Sequence, residues 1–116
     1  MSQEHRRNPR TVKPILAKFR TPKGEWAAAP LRDFSRVGAR FLTERTFPVG
    51  TRLEMRLAVP MVKSPVALHA IVVRSMVKAS GIYHEHAVAF EAVDQPTSRL
   101  LAEAVNFFLK KERRTA

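Results

Sequence analysis

The chain has no cysteine, which excludes disulfides and thiolate metal sites and fits a reducing compartment. Glycine is scarce, with only 4 residues, and no glycine-rich run is present that could cradle phosphates as a P-loop does. No apolar run reaches the length of a membrane span, and the polar, arginine-rich first residues lack the apolar core of a signal peptide, so a soluble cytoplasmic protein is expected. Acidic residues are also few: 10 Asp and Glu stand against 21 Lys and Arg, a formal charge of +11. Such a field attracts phosphates, nucleic acid or anionic lipid, and charge alone does not choose among them.

What the 116 residues do contain is enough apolar material for one modest core, so residues 1–116 read as a single domain without internal repeats. Residues 1–11 are polar and basic and bury too little to fold alone, so they are expected to form a flexible arm. From there to about residue 93 the pattern is that of strands. Ile15, Ala17 and Phe19 alternate with Leu16, Lys18 and Arg20 in a run beginning at Val12, and Thr21 to Gly24 reads as a turn. Trp26 to Leu31 and Ala39 to Leu42 are weaker extended segments. Thr51 to Val59 is the clearest strand, with Leu53, Met55, Leu57 and Val59 on one face and Arg52, Glu54 and Arg56 on the other. Val66 to Arg74 and Ile82 to Glu91, joined by a turn at Lys78 to Gly81, are expected to pair as a hairpin. This succession of short strands predicts a mainly β fold, a small antiparallel barrel. Beyond Asp94 and Pro96, Leu100, Leu101, Ala104, Val105, Phe108 and Leu109 recur at helical spacing, predicting a helix over 96–113 that covers one barrel opening.

Two short blocks carry chemistry. Arg6, Arg7 and Arg10 place three guanidinium groups around a proline, and each offers paired planar donors for phosphate oxygens or the O6/N7 edge of guanine. Asp33-Phe34-Ser35-Arg36-Val37-Gly38 places a carboxylate and a hydroxyl two residues apart, hence on one side of an extended segment, before a glycine that permits a sharp turn. Alone, a basic run is usually a solvated tail and Asp-x-Ser an ordinary turn or cap. Paired in a β framework, they point to one anionic ligand.

In these blocks the chain resembles the PilZ domains, which bind the bacterial second messenger cyclic diguanylate (c-di-GMP). The family signature is an RxxxR stretch followed, after one strand region, by (D/N)xSxxG; Arg6 to Arg10 and Asp33 to Gly38 fit both in order and spacing. The likeness extends to Ala87-Val88-Ala89-Phe90 and the helix after it, with Ala87 near a place where members often carry glycine, a departure expected to bear on packing rather than on the ligand. The resemblance implies a six-stranded split-barrel type of fold. It also implies a receptor in which the arm closes over c-di-GMP and signals to a downstream protein controlling motility, adhesion or exopolysaccharide. Arg6 and Arg10 would take phosphates and guanine edges, Arg7 would add charge or stack, Asp33 would read guanine, Ser35 would hold phosphate or the turn, and Gly38 would let the backbone approach the ligand.

Other residues are read as structural. His84 and His86 share one strand face and His69 stands on the neighbouring strand, but no fourth metal ligand accompanies them, so surface or packing roles are expected. Arg36 and Arg40 are read as solvent-facing and outside the site, the helix phenylalanines as core, and Trp26 as open. No cysteine nucleophile, Gly-x-Ser-x-Gly elbow or paired buried carboxylates can be assembled, so catalysis is not expected, and neither is a cofactor. The alternatives are a PilZ-like adaptor for pilus or flagellar machinery and a basic barrel binding single-stranded nucleic acid, the latter disfavoured as a partner.

Overall fold

The computed structural model describes residues 15–59, 62–78 and 81–115, with helix side chains described as far as Leu109. The expected arm 1–11, with Arg6, Arg7 and Arg10, lies outside the described residues. Six strands, β1 (Leu16–Arg20), β2 (Ala27–Phe34), β3 (Gly38–Thr43), β4 (Arg52–Leu57), β5 (Val66–Lys78) and β6 (Tyr83–Glu91), are followed by one helix, α1 (Gln95–Thr115). The strands close into a barrel in the order β1-β2-β3-β6-β5-β4, every neighbouring pair antiparallel. Closure satisfies the backbone around the ring and leaves the barrel body without open edges.

The two-residue period sends one set of side chains inward. Ala17 and Phe19 from β1, Leu53, Met55 and Leu57 from β4, and Val66, Leu68, Ala70 and Val72 from β5 are all buried. Phe19 and Phe41 lie at the centre with ring centroids 4.6 Å apart. Burying a side chain of this size contributes about 1.5–3 kcal/mol, so the interior row is the main source of stability.

Each barrel end has its own plug. At one end, the segment between β3 and β4 drops Phe47 edge-on to Phe19, with centroids 6.0 Å apart. His86 of β6 fixes that plug, because its Nε2 accepts the Phe47 N–H at 3.0 Å. At the other end α1 buries Leu101, Ala104 and Val105, and Phe108 meets Phe34 edge-on. The helix starts where the Asp94 carboxylate accepts the Thr97 N–H at 2.8 Å, an N-terminal cap.

Several element boundaries depart from expectation. The expected start of β1 at Val12 lies outside the described residues, and β2 runs on through Phe34, past its expected end at Leu31, so Asp33 belongs to the strand. β5 continues to Lys78, past the expected end at Arg74, and α1 extends to Thr115. β2 and β5 run long because each carries a register shift, between Leu31 and Asp33 and between Val72 and Arg74, so the inside–outside alternation breaks before the strand does.

Candidate functional site

The two register shifts act on one patch of the barrel's outer surface. On β2, Leu31 pairs with Phe41 and Asp33 with Arg40, so Arg32 is the extra residue. Asp33 thereby stands beside Arg40, while Phe34 and Ala39 remain buried. On β5, Val72 pairs with Val88 and Arg74 with Ala87, making Val73 the extra residue. Because Arg40 also pairs with Ala87, the residues Asp33, Arg40, Ala87 and Arg74 form one continuous row across β2, β3, β6 and β5.

The row forms the floor and walls of an open cleft. One part, about 370 Å³, is lined by Asp33, Gly38, Arg40, Val73, Arg74 and Ala87. An adjoining part of about 250 Å³ runs on to Met76, Lys78 and Glu85. Ala87 is small and stands between two arginines, so its place near the family's usual glycine is on the cleft floor.

Asp33 is 2% exposed, and its Oδ2 accepts from Arg40 Nε at 2.8 Å and from Arg40 Nη2 at 2.5 Å. The hydrogen bond to Asp33 raises the Arg40 pKa further above its usual value, with the Asp33 and Glu85 charges adding to the effect against desolvation. Arg40 is a solvent-facing strand residue, as expected, and it is also part of the carboxylate's immediate surroundings. Its side chain is still 44% exposed, leaving a face open to the cleft. Glu85 lies between cations, 3.6 Å from Arg32 and 3.7 Å from Lys78.

The turn after Asp33 is built from the other motif residues. Ser35 is fully buried, and its Oγ accepts the Val37 N–H at 3.2 Å, while its own N–H donates to the Gly38 carbonyl at 2.8 Å. The hydroxyl thus closes the turn. The structure adds a packing reason for Gly38: a Cβ there would stand 2.4 Å from the Val88 carbonyl oxygen, so the glycine permits close approach of β3 to β6.

Asp33 and Gly38 thus line the cleft, Ser35 is buried in the turn between them, and Arg6, Arg7 and Arg10 fall outside the described residues. The residues that sequence reasoning missed are Arg40 and Arg74. Counting the hairpin back from the Ser35–Gly38 turn could have placed Arg40 beside Asp33. Arg74 arrives only through the barrel order and the β5 register shift.

The remaining candidates resolve as structural. His86 is fully buried against Phe41 and Phe47, and burial, reinforced by the neighbouring His84, lowers its pKa below the usual histidine value. His84 Nε2 lies 3.0 Å from the Thr46 hydroxyl. Among the described residues no group of three or more His, Cys, Asp or Glu is arranged to hold a metal. Trp26 lies under the guanidinium groups of Arg20 and Arg56, at 4.5 and 4.6 Å from the ring centroid. No helix among the described residues is long and apolar enough to cross a membrane.

A closed six-stranded antiparallel barrel with an open, arginine-lined cleft on its flank and a helix over one end defines a small β-barrel domain. Residues 4–107 match the PilZ domain, and the chain belongs to that family. No curated protein matches the chain in sequence at a significant level. Solved structures do match in fold. The chain is similar to MrkH of K. pneumonia in its c-di-GMP complex, at TM-score 0.81 and 16% identity over 96% of this chain and 55% of that one. It is similar to the PilZ domain of YcgR from Escherichia coli with c-di-GMP, at TM-score 0.69 and 16% identity over 96% of both chains. It is also similar to the Bacillus subtilis inhibitor of motility MotI/DgrA, at TM-score 0.74 and 12% identity over 94% of this chain and 52% of that one. The chain thus spans about half the length of MrkH and MotI/DgrA.

Proposed function

We propose that the protein is a receptor for c-di-GMP. The carrying observation is the row Asp33, Arg40, Ala87 and Arg74, which sets one nearly buried carboxylate beside Arg40, with Arg74 across the small Ala87, in a PilZ barrel. A carboxylate accepts the N1–H and 2-amino donors of guanine, and guanidinium groups bind phosphate in paired geometry. Ser35 and Gly38 hold the turn that presents Asp33. When a guanine edge reaches Asp33, it takes over hydrogen bonds now made by Arg40, and Arg40 turns its charge toward phosphate.

Arg6, Arg7 and Arg10 supply the second half of the clamp in this reading. The arm of residues 1–11 orders over the ligand at about 1–2 kcal/mol per residue, offset by charge-assisted hydrogen bonds. The closed arm is then the signal read by a partner protein in the bacterial cytoplasm. MrkH and the YcgR PilZ domain, each solved with c-di-GMP, support the ligand assignment.

Isothermal titration with c-di-GMP, with cyclic di-AMP and GTP as controls, tests the proposal. Saturable, guanine-selective binding is expected. Arg6→Ala or Arg10→Ala should weaken it by about one to two powers of ten, the equivalent of ~1.5–3 kcal/mol, while Arg36→Ala should be mild. Absence of heat together with an unchanged melting temperature overturns the receptor reading in favour of an adaptor.

A further inference from the structure

The barrel is closed only as far along β5 as Val72. β4 pairs with β5 from Leu57↔Val66 to Arg52↔Ile71, and the last backbone bonds across that seam are Val72 N–H to Thr51 O at 2.9 Å and Gly50 N–H to Val72 O at 2.7 Å. From Val73 to Lys78 the strand continues, paired among the described residues with β6 alone. The hairpin therefore presents a backbone edge, the ready template for an added strand.

The side chains around this edge are unusual for solvent. Val73 is 52% exposed and Val77 61%, and Ile82 and Tyr83 are exposed on the returning arm. Arg74, Met76 and Lys78 share the cleft side of the hairpin, whereas Ser75 and Val77 lie opposite His86 and His84 on the other side. A strand laid along the edge would meet Arg74, Met76 and Lys78 on one face, with Glu85 3.7 Å from Lys78, and Ser75 and the exposed Val77 on the other.

We infer that Val73–Lys78 is a docking edge for an extended acidic segment of a partner protein, one that alternates carboxylate and apolar side chains. Charge selects this occupant over a second copy of the chain. Antiparallel pairing of two such edges about a dyad at Met76 would set Arg74 directly across from Lys78 of the other copy, twice, and like charges directly opposite are destabilising. The overall charge of +11 adds to that repulsion and steers an acidic chain inward. The Val73 irregularity and the two cations defend the edge against self-pairing while leaving it open to carboxylates. The docking edge shares Arg74 with the proposed nucleotide cleft, so it is tested without nucleotide and through Lys78.

The test uses the full chain without nucleotide and a blocked octapeptide alternating Glu and Val. Two controls accompany it: an alternating Lys and Val octapeptide, and one of the same Glu and Val composition in two blocks. Titration is combined with hydrogen–deuterium exchange. The alternating acidic peptide should bind saturably and slow exchange of the amides in 73–78, the block peptide should bind about fivefold more weakly, and the lysine peptide should not bind. Lys78→Glu should weaken binding about fivefold, and Lys23→Glu, the same charge change on a distant turn, by less than about twofold. Equal binding of the block peptide, protection elsewhere than 73–78, no binding at all, or a concentration-dependent dimer protected at 73–78 would each overturn the inference.

Discussion

Alanine at position 38 separates two explanations of the motif glycine. The added methyl would stand 2.4 Å from the Val88 carbonyl oxygen, 3.4 Å from Val88 C and 3.5 Å from Ala89 Cα, all backbone atoms that cannot swing aside. A carbon–oxygen contact settles near about 3.3 Å, so β3 and β6 must separate by roughly 1 Å at the Gly38↔Ala89 pair. Two backbone bonds flank that point, Ser35 N–H to Gly38 O at 2.8 Å and Phe90 N–H to Val37 O at 2.9 Å. Overpacking costs about 1–3 kcal/mol, and loss of one such bond adds about 0.5–1.5 kcal/mol. Gly38 does not occupy a left-handed conformation, so alanine adds no backbone strain and returns about 0.4–1 kcal/mol by restricting the unfolded chain. The net effect is a destabilisation of about 1–4 kcal/mol, lowering Tm by roughly 4–15 °C. Thermal unfolding followed by far-ultraviolet circular dichroism measures it. A variant that melts within about 2 °C of the parent refutes the close-approach argument. If that variant also lost c-di-GMP binding, the glycine would return to the ligand-contact role.

Asp33→Ala should cost guanine selectivity more than any other cleft substitution, read as the ratio of c-di-GMP to cyclic di-AMP affinity; an unchanged ratio removes Asp33 from base recognition. Arg40→Ala takes charge-assisted bonds from a carboxylate that is 2% exposed, but Arg40 is half in solvent, so the expected loss is about 1–2 kcal/mol in urea unfolding. An unchanged urea midpoint would show the pair to be energetically idle. His86 has a lowered pKa when folded, so the unfolded chain binds more protons near and below the usual value of 6.5, and stability rises with pH through this window. Stability should therefore fall as pH drops below about 6.5, and His86→Gln should flatten that part of the Tm–pH profile; a profile of unchanged slope would assign the dependence to another group.

The barrel was legible in the sequence wherever strands have one wet face. β4 alternates Leu53, Met55 and Leu57 with charged residues, and the structure buries all three. The same holds for Ala17 and Phe19 on β1 and for the helix stripe of Leu101, Ala104 and Val105. The PilZ resemblance likewise agrees with the family match over residues 4–107. Alternation fails where a strand carries an extra residue, because the period of two is then broken and the reader infers a turn. That is why Asp33 was placed in a turn and β5 was ended at Arg74. His86 shows a different blindness: its burial depends on Phe41 and Phe47, distant in sequence and brought to it only by barrel closure.

The unreadable features are also those that make the cleft. Without the irregularity at Arg32, unbroken alternation from the inward Leu31 would turn Asp33 into the core, where a carboxylate has no place. Without the one at Val73, Arg74 would follow the inward Val72 into the interior. Each extra residue therefore moves a charged group from a prohibitive position to the outer face while keeping the strand and its core row intact. The two displaced charges come into line because β3 and β6 between them are regular, carrying the register from Arg40 through Ala87. Deleting Arg32 or Val73 removes the extra residue itself, so Asp33 then follows the inward Leu31, or Arg74 the inward Val72, in regular alternation and stays on the outer face opposite Arg40 or Ala87. Such a deletion should consequently keep the charged row and lower the melting temperature little more than Arg32→Ala or Val73→Ala does; a far larger loss would show that the local bend of the strand, and not the placement of the charge, is what the extra residue supplies.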